Sequence, residues 1–427
     1  MAGLDASKET EARTVAPTLG EVISVWTKIG ILSFGGPAGQ IAMMHRTIVE
    51  ERRWVEEHRF LAALNYCMLL PGPEAQQLAT YLGWRTHGIP GGVIAGAMFV
   101  LPGALVMLAL SVIYVLYAGI PSAEAILLGI KAAVLAIIAQ AILKLGSRVV
   151  GSAAKIAVAA GALILIMVLD VPFPLILAIA ALIGTFFFAD AGKAAPEPVN
   201  ADGPGLHRSA RRGAFFAAGL WIAGIALAFL LTTGGEAYSD LALFFSKLAV
   251  ITFGGAYAVL AYMTDQAVNV YAWLQPAEMV DGLGLAETTP GPLILVTQFV
   301  GFLAAYRNPG PVDPMLAGII GTVITLWVTF VPSFLWLFAG APYVDWLIRN
   351  PRLSGALAGV TAAVVGVIVS LALWFGTQVF FSGSIAVSVS GQDFSVPDPS
   401  SAQFLAIDLP PSDFSQPRQV ADASSSR

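Results

Sequence analysis

The sequence predicts an all-α integral membrane protein made of two inverted homologous repeats, with broken, re-entrant helix hairpins in each repeat. Three observations support this fold class: the composition, an internal repeat, and Gly and Pro motifs that interrupt apolar stretches. Of the 427 residues, 57% are hydrophobic and only 11% are charged, and the mean hydropathy is +0.78. Because about a quarter of the residues of a soluble domain carry charge, this composition excludes a water-soluble fold.

Long apolar stretches supply the membrane-spanning helices. Residues 91–117, 123–143, 315–338 and 355–375 reach the roughly 20 residues that a helix needs to cross the hydrocarbon core. The polar start of the chain leads into no cleavable apolar segment, so we expect no secretory signal peptide. One cysteine and four scattered histidines exclude a disulfide framework and predict neither a metal site nor a cofactor.

An internal repeat divides the chain into two halves. The motif Phe34-Gly35-Gly36 recurs 219 residues later at 253–255, and Pro71-Gly72-Pro73 recurs at 290–292 with the same offset. Eleven of the forty positions in this block are identical, and beyond residue 311 the offset becomes 230. Because the residues with special backbone properties are among those that coincide, both halves descend from one unit.

The distribution of charge predicts the topology. The segment between the halves is rich in Pro, Gly, Ala and charge and ends in three arginines, which places it in the cytoplasm, because short loops rich in Lys and Arg stay inside. Counting outward from it, the halves have opposite orientations, as in many secondary transporters. The predicted domains are a polar N-terminal segment (1–18), a first repeat with an extra helix pair (19–189), the linker (190–212), a second repeat (213–380) and a polar C-terminal tail (381–427).

The two motifs break apolar stretches into arms of half the membrane thickness. The Pro-Gly-Pro motif at 71–73 splits residues 61–84 into two arms of about eleven residues, each about 16 Å long. Proline removes a backbone donor from a helix interior and clashes with the preceding turn. We therefore expect re-entrant hairpins whose tips meet near the midplane, the first pair dipping from the cytoplasmic side and the second from outside.

These breaks predict a binding site for a small oxyanion. A break leaves backbone N–H and C=O groups without helical partners, which lipid cannot satisfy, and helix N-termini carry about half a positive charge and bind oxyanions. Four such ends would suit a tetrahedral dianion, although each motif alone also fits a tight packing corner. The candidate substrate-binding residues at the breaks are Gly35, Gly36, Ala38, Gly39, Asn65, Gly72, Gln76, Gln77, Gly254, Gly255, Thr288, Thr289 and Gly291.

Charged residues within the membrane complete the candidate site. Lys28 and Lys247 lie 219 residues apart, each six residues before the phenylalanine of its motif, and Lys131 lies in mid-helix. Intramembrane charges are costly and mark substrate or ion paths, but arms this short also allow a lysine to reach the interface. Glu74 follows the first Pro-Gly-Pro motif and is the candidate for proton coupling, although a helix N-terminus favours its ionised form.

These residues resemble the chromate ion transporter family in its long, two-domain form. The resemblance rests on residues 34–40 (Phe-Gly-Gly-Pro-Ala-Gly-Gln), 50–55 and 63–79, with degenerate copies in the second half, and covers about residues 19–374. It implies efflux of chromate across the bacterial inner membrane by a multi-pass protein, driven by the proton motive force and giving chromate resistance. The helix pair that the family would place at the end of the second half is missing, because that region is polar.

Other function classes stay open at this point. An anion channel, or a transporter of sulfate or another oxyanion, could use the same broken helices, and only flux measurements separate them. A membrane enzyme would need a nucleophile, acid–base or metal cluster, which the scattered histidines and single cysteine do not supply. The expected partners are a chromate or sulfate-like oxyanion and the lipid bilayer, with no nucleic acid, and a homodimer is compatible with the sequence.

Overall fold

The computed structural model describes residues 17–34, 36–147, 149, 151–169, 171–189, 204–232, 234, 237–253, 256–381, 384–389, 392–397 and 401. Its helices in the first half are α1 (Leu19–Leu32), α2 (Gly36–His45), α3 (Glu57–Cys67), α4 (Glu74–Tyr117), α5 (Pro121–Gly146), α6 (Ala153–Met167) and α7 (Phe173–Phe187). Those that follow are α8 (Pro204–Leu231), α9 (Tyr238–Ile251), α10 (Ala256–Asp265), α11 (Pro276–Thr288), α12 (Val296–Arg307), α13 (Pro314–Gly340), α14 (Val344–Arg349) and α15 (Pro351–Phe380).

The prediction of an all-α membrane protein is confirmed. Five helices of the described chain are long and apolar enough to cross a membrane, namely Glu74–Tyr117, Ala125–Gly146, Arg208–Leu231, Pro314–Tyr343 and Pro351–Phe380. Helix α8 begins at Pro204, so it includes the last residues of the segment predicted as a linker. Antiparallel strands β1 (Ser384–Val389) and β2 (Gln392–Pro397) were not anticipated, and they belong to a compact unit separate from the one that holds the two repeats.

The two repeats share one order of elements. Helices α1 and α2, a π-helical turn at Arg46–Glu51 and helix α3 lead to the first Pro-Gly-Pro motif, and α9, α10, a second π-helical turn at Gln266–Val270 and α11 lead to the second. After each motif come a short helical arm and then two long helical segments. The repeat read from the sequence is therefore a repeat of structure as well.

Helix α4 reverses direction at Gly88. This glycine has φ +61°, in the left-handed region that glycine adopts without strain. The segments on either side, 74–86 and 89–117, pack antiparallel through small residues, since a Cβ on Gly83 would lie 2.4 Å from the Gly91 carbonyl oxygen. The second segment contains the span predicted at 91–117.

Each Pro-Gly-Pro motif is the tip of a helical hairpin. In the first hairpin, Arg59 at the start of α3 and Arg85 near the end of segment 74–86 line one pocket, so the two arms run antiparallel. In the second hairpin, Arg307 at the end of α12 forms an ion pair with Glu278 in the first turn of α11. We call residues 71–73 the first tip and 290–292 the second tip, and we call the opposite end of each hairpin its mouth.

The two hairpins open toward opposite ends of the molecule. Segment 89–117 starts at the first mouth and is about 43 Å long, and near its end Tyr114 donates a hydrogen bond to Asp281, which lies in α11 of the second hairpin. Helix α13 runs the other way, and its far end packs Phe338 against Trp84 of the first hairpin. Because membrane-length helices separate the mouths, this geometry agrees with the predicted inversion of the halves.

Candidate functional site

Each tip contacts the broken helix of the other half. The N–H of Gly72 donates to the carbonyl of Thr252 at 2.8 Å, and the N–H of Gly291 donates to the carbonyl of Ser33 at 2.9 Å. Gly72 and Gly291 are equivalent positions in the repeat, as are Ser33 and Thr252. The two contacts therefore exchange under a pseudo-two-fold rotation, and the broken helices of both halves meet at one place.

The backbone conformation requires glycine at both tips, and close packing requires small residues where each tip meets the long helix of the other half. Gly72 and Gly291 have φ values of +116° and +92°, which residues with a Cβ rarely adopt. A Cβ on Gly72 would also lie 2.7 Å from the Ser333 hydroxyl oxygen of α13, and a Cβ on Gly103 of α4 would lie 2.2 Å from the Pro290 carbonyl oxygen. Since Ser333 and Gly103 are equivalent by the offset of 230, each tip packs on the same turn of the opposite half's long helix.

Buried amide side chains hold the tips in place. Gln40 donates from Nε2 to the carbonyl of Gly291 at 2.6 Å, and Gln77 donates to the carbonyl of Pro71 at 2.7 Å. Among the described residues, the Oε1 atoms of both glutamines and the hydroxyl of Ser333 are buried without a hydrogen-bond partner. A buried polar atom left unpaired costs about 1–3 kcal/mol, so these atoms are natural contacts for water or a polar ligand.

The structure brings some of the predicted site residues to the tips and leaves others on the surface. Gly72, Gln76, Gln77, Thr289 and Gly291 are buried, and Gly36 (φ +70°) and Glu74 are half-buried at the starts of α2 and α4. The exposed ones are Lys28, Ala38, Gly39, Asn65, Lys247 and Thr288. Gly35, Gly254 and Gly255 lie outside the described residues.

The repeated lysines point outward. Lys28 lies on the face of α1 opposite its buried residues, in a groove with Ser24 and Thr27. Lys247 donates from Nζ to the Tyr262 hydroxyl at 2.8 Å and lies 5.4 Å from the centre of that ring, a distance typical of cation–π contacts. Neither ammonium group touches a buried tip, so any role in transport would be exercised from the surface of the arms.

The third lysine belongs to a buried polar cluster that the sequence analysis missed. The Nζ of Lys131 lies 2.9 Å from Oδ1 of Asp281, whose side chain is only 7% exposed, and the Tyr114 hydroxyl donates to the other carboxylate oxygen at 2.9 Å. The cluster joins α4 and α5 of the first half to α11 of the second. The sequence analysis gave Asp281 no role, yet helix α11 begins at Pro276 and carries this acid inside a membrane arm. An acid at such a position is the signal that could have found the cluster.

Comparison with known proteins gives the family. A family model described as chromate transporter matches residues 20–185 and 239–406. A probable chromate transport protein of Synechococcus elongatus is 30% identical over 367 residues, covering 85% of this chain and 86% of the relative. Chromate transport proteins of Cupriavidus metallidurans and Pseudomonas aeruginosa are 30% and 33% identical, covering 82% and 85% of this chain and 81% and 83% of the relatives.

No solved structure matches the chain. The family model covers both repeats, and the relatives align over most of their own length, so the similarity is not confined to one motif. It confirms the resemblance seen in the motifs at 34–40 and 63–79. The chain is therefore a multi-pass membrane transport protein that belongs to the chromate transporter family.

Proposed function

We propose that this chain exports chromate from the cytoplasm across the bacterial inner membrane, uses the proton motive force as its energy source, and thereby confers chromate resistance. The names of the relatives from Cupriavidus metallidurans and Pseudomonas aeruginosa support chromate as the substrate. The observation that carries the proposal is that the tip of each half is hydrogen-bonded to the broken helix of the other half, Gly72 to Thr252 and Gly291 to Ser33. It places broken backbone from both halves around one point between the two mouths.

The oxyanion would bind where the tips meet. The first N–H groups of α2 and α4 have no partners within their helices, and the positive ends of these helices favour a dianion. Gln76, Gln77 and Thr289 supply polar side chains at the same buried place. Lys28 and Lys247 would attract the anion along the arms, and Glu74 at the start of α4 would exchange the coupled proton.

The membrane potential can drive much of this export by itself. Moving one elementary charge across 100 mV is worth about 2.3 kcal/mol, so a dianion leaving a negative interior gains about 4.6 kcal/mol. Since about 1.4 kcal/mol corresponds to a tenfold ratio, that gain supports a gradient of about three orders of magnitude. Potential and pH gradient must therefore be imposed separately to learn whether protons are also exchanged.

Everted membrane vesicles test the proposal. We expect saturable chromate uptake that an interior-positive potential stimulates in wild type, and that Glu74→Gln makes insensitive to an imposed pH gradient. Lys28→Ala and Lys247→Ala should raise KM. No uptake under either gradient would contradict the export of chromate, and uptake unchanged in all three variants would contradict the residue roles while leaving the family assignment intact. Flux that does not saturate would indicate a channel.

A further inference from the structure

The first mouth is an open basic pocket. It is a cavity of about 120 Å³ lined by Trp54, Glu56, Arg59, Tyr81, Arg85 and Thr86. This volume is several times the roughly 10–15 Å³ that one water requires, so the pocket can hold a small oxyanion. Two guanidinium groups and one carboxylate line it, so basic side chains outnumber acidic ones in its lining.

An ion pair bridges the equivalent place in the second half. Trp54 corresponds to Trp273, and Arg59 corresponds to Glu278. Arg307 reaches over this second mouth, where one Nη donates to both the Glu278 carboxylate and the Trp273 carbonyl at 2.8 Å. The other Nη contacts the second carboxylate oxygen, so the guanidinium binds both carboxylate oxygens and the two charges cancel.

The first mouth connects to the tip through a single helix. Arg85 and Tyr81 lie on segment 74–86, which begins directly after the first tip and carries Gln77 and Gln76 at its other end. From Glu74 to Arg85 the helix rises about 16 Å. An anion held between the two guanidinium groups is therefore about half a membrane away from the place where the broken helices meet.

We propose that the first mouth is the site at which a divalent tetrahedral oxyanion is captured from the cytoplasm before it reaches the tips. The proposal rests on the proposed function for its direction, because the first mouth faces the cytoplasm in the predicted topology. Arg59 and Arg85 are the ligands, since a planar guanidinium fork matches the edge of an oxyanion. Phosphate groups of lipids share this chemistry, so the experiment has to separate a free anion from a lipid headgroup.

Glu56 acts as the internal competitor in this pocket. Its Oε2 lies 3.6 Å from Nε of Arg59 and 3.3 Å from Nδ1 of His58, and its side chain is 62% exposed. Such a long, exposed contact contributes little stability, so an arriving dianion can displace the carboxylate from Arg59. Removing the negative charge of Glu56 should therefore strengthen anion binding, which is the opposite of the effect expected at the arginines.

Three measurements on the full-length protein test the capture site: the Kd for sulfate in phosphatidylcholine nanodiscs, KM and kcat for chromate in everted vesicles, and the binding of labelled phosphatidylglycerol. Arg59→Gln and Arg85→Gln should each raise Kd and KM about tenfold with little change in kcat, while Glu56→Gln should lower both by several-fold. Arg46→Gln is the matched control. It removes the same charge from an exposed side chain paired with Glu51, outside the pocket, and should leave both constants unchanged.

The outcomes separate the capture site from the proposed function. If wild type transports chromate but the arginine variants change neither Kd nor KM, the capture site is wrong and the proposed function stands. If wild type binds sulfate through Arg59 but transports no chromate, the pocket stands as an anion site and the proposed function falls. If Arg59 instead governs binding of labelled phosphatidylglycerol, with sulfate binding unaffected, the pocket holds lipid and the proposal is overturned.

Discussion

The ion pair between Lys131 and Asp281 gives a prediction whose sign depends on pH. Asp281 is 7% exposed, and its carboxylate lies between the Lys131 ammonium and the Tyr114 hydroxyl. Lys131→Met removes the positive partner and leaves a carboxylate where membrane helices pack together. Asp281→Asn instead leaves the Lys131 ammonium on α5 without its partner. The Lys131 side chain is 20% exposed and long enough to reach more polar surroundings.

The size of the effect is set by proton binding to Asp281. An unpaired buried carboxylate costs about 3–5 kcal/mol, unless the group binds a proton. At pH 7, protonating a carboxyl of ordinary pKa, about 3.9, costs about 4 kcal/mol, so Lys131→Met should lower the free energy of unfolding by about 3–4 kcal/mol. The folded variant then holds a proton that the unfolded chain lacks. Its stability should therefore rise by about 1.4 kcal/mol for each pH unit of acidification until the ordinary pKa is approached.

Reversible unfolding in mixed micelles at pH 7.0 and about pH 5.5 measures this effect. At the lower pH, Lys131→Met should recover about 2 kcal/mol of its lost free energy of unfolding, and Asp281→Asn should recover none. The double variant should be more stable than the sum of the two single losses predicts. Equal losses for Lys131→Met at both pH values would refute the reasoning, as would strictly additive losses in the double variant.

Three further substitutions and one control probe the packing of the tips and of the Asp281 cluster. Gly103→Ala should abolish vesicle uptake, because its methyl group would lie 2.2 Å from a backbone carbonyl of the second tip. Gly129→Ala is the control: its methyl group would meet open space, so this variant should keep uptake, and its free energy of unfolding should rise by up to about 1 kcal/mol. Equal uptake by both variants would contradict the packing. Gln40→Leu removes the donor of a 2.6 Å hydrogen bond to the second tip and should lower the free energy of unfolding by about 1–3 kcal/mol, and an unchanged value would show that the bond is dispensable. Tyr114→Phe removes one hydrogen bond to Asp281 and should cost about 1–3 kcal/mol without changing KM for chromate.

The backbone of the site could be predicted from the sequence, and most of its side-chain chemistry could not. The breaks at Gly36 and Gly72 follow from local physics, because Gly and Pro act on their own φ values and on the adjacent turn wherever they occur. The partners of these breaks are set by tertiary packing. Lys131 and Asp281 lie 150 residues apart in the sequence, and each has a neutral residue at its repeat position, so the repeat does not pair them.

The tips of the two halves are alike and the mouths differ. This difference bears on how a duplicated transporter comes to prefer one of its two conformations. If the two halves were identical, exchanging their conformations would turn an inward-open form into an outward-open form of equal free energy. The tips keep that symmetry, since the bonds of Gly72 and Gly291 are equivalent. The mouths break it, because Glu278 in the second mouth binds Arg307, whereas its counterpart Arg59 lines an open pocket. A difference of about 1.4 kcal/mol between the two closures is enough to favour one form tenfold, and we expect the ion pair of the second mouth to favour the form in which the first mouth is open.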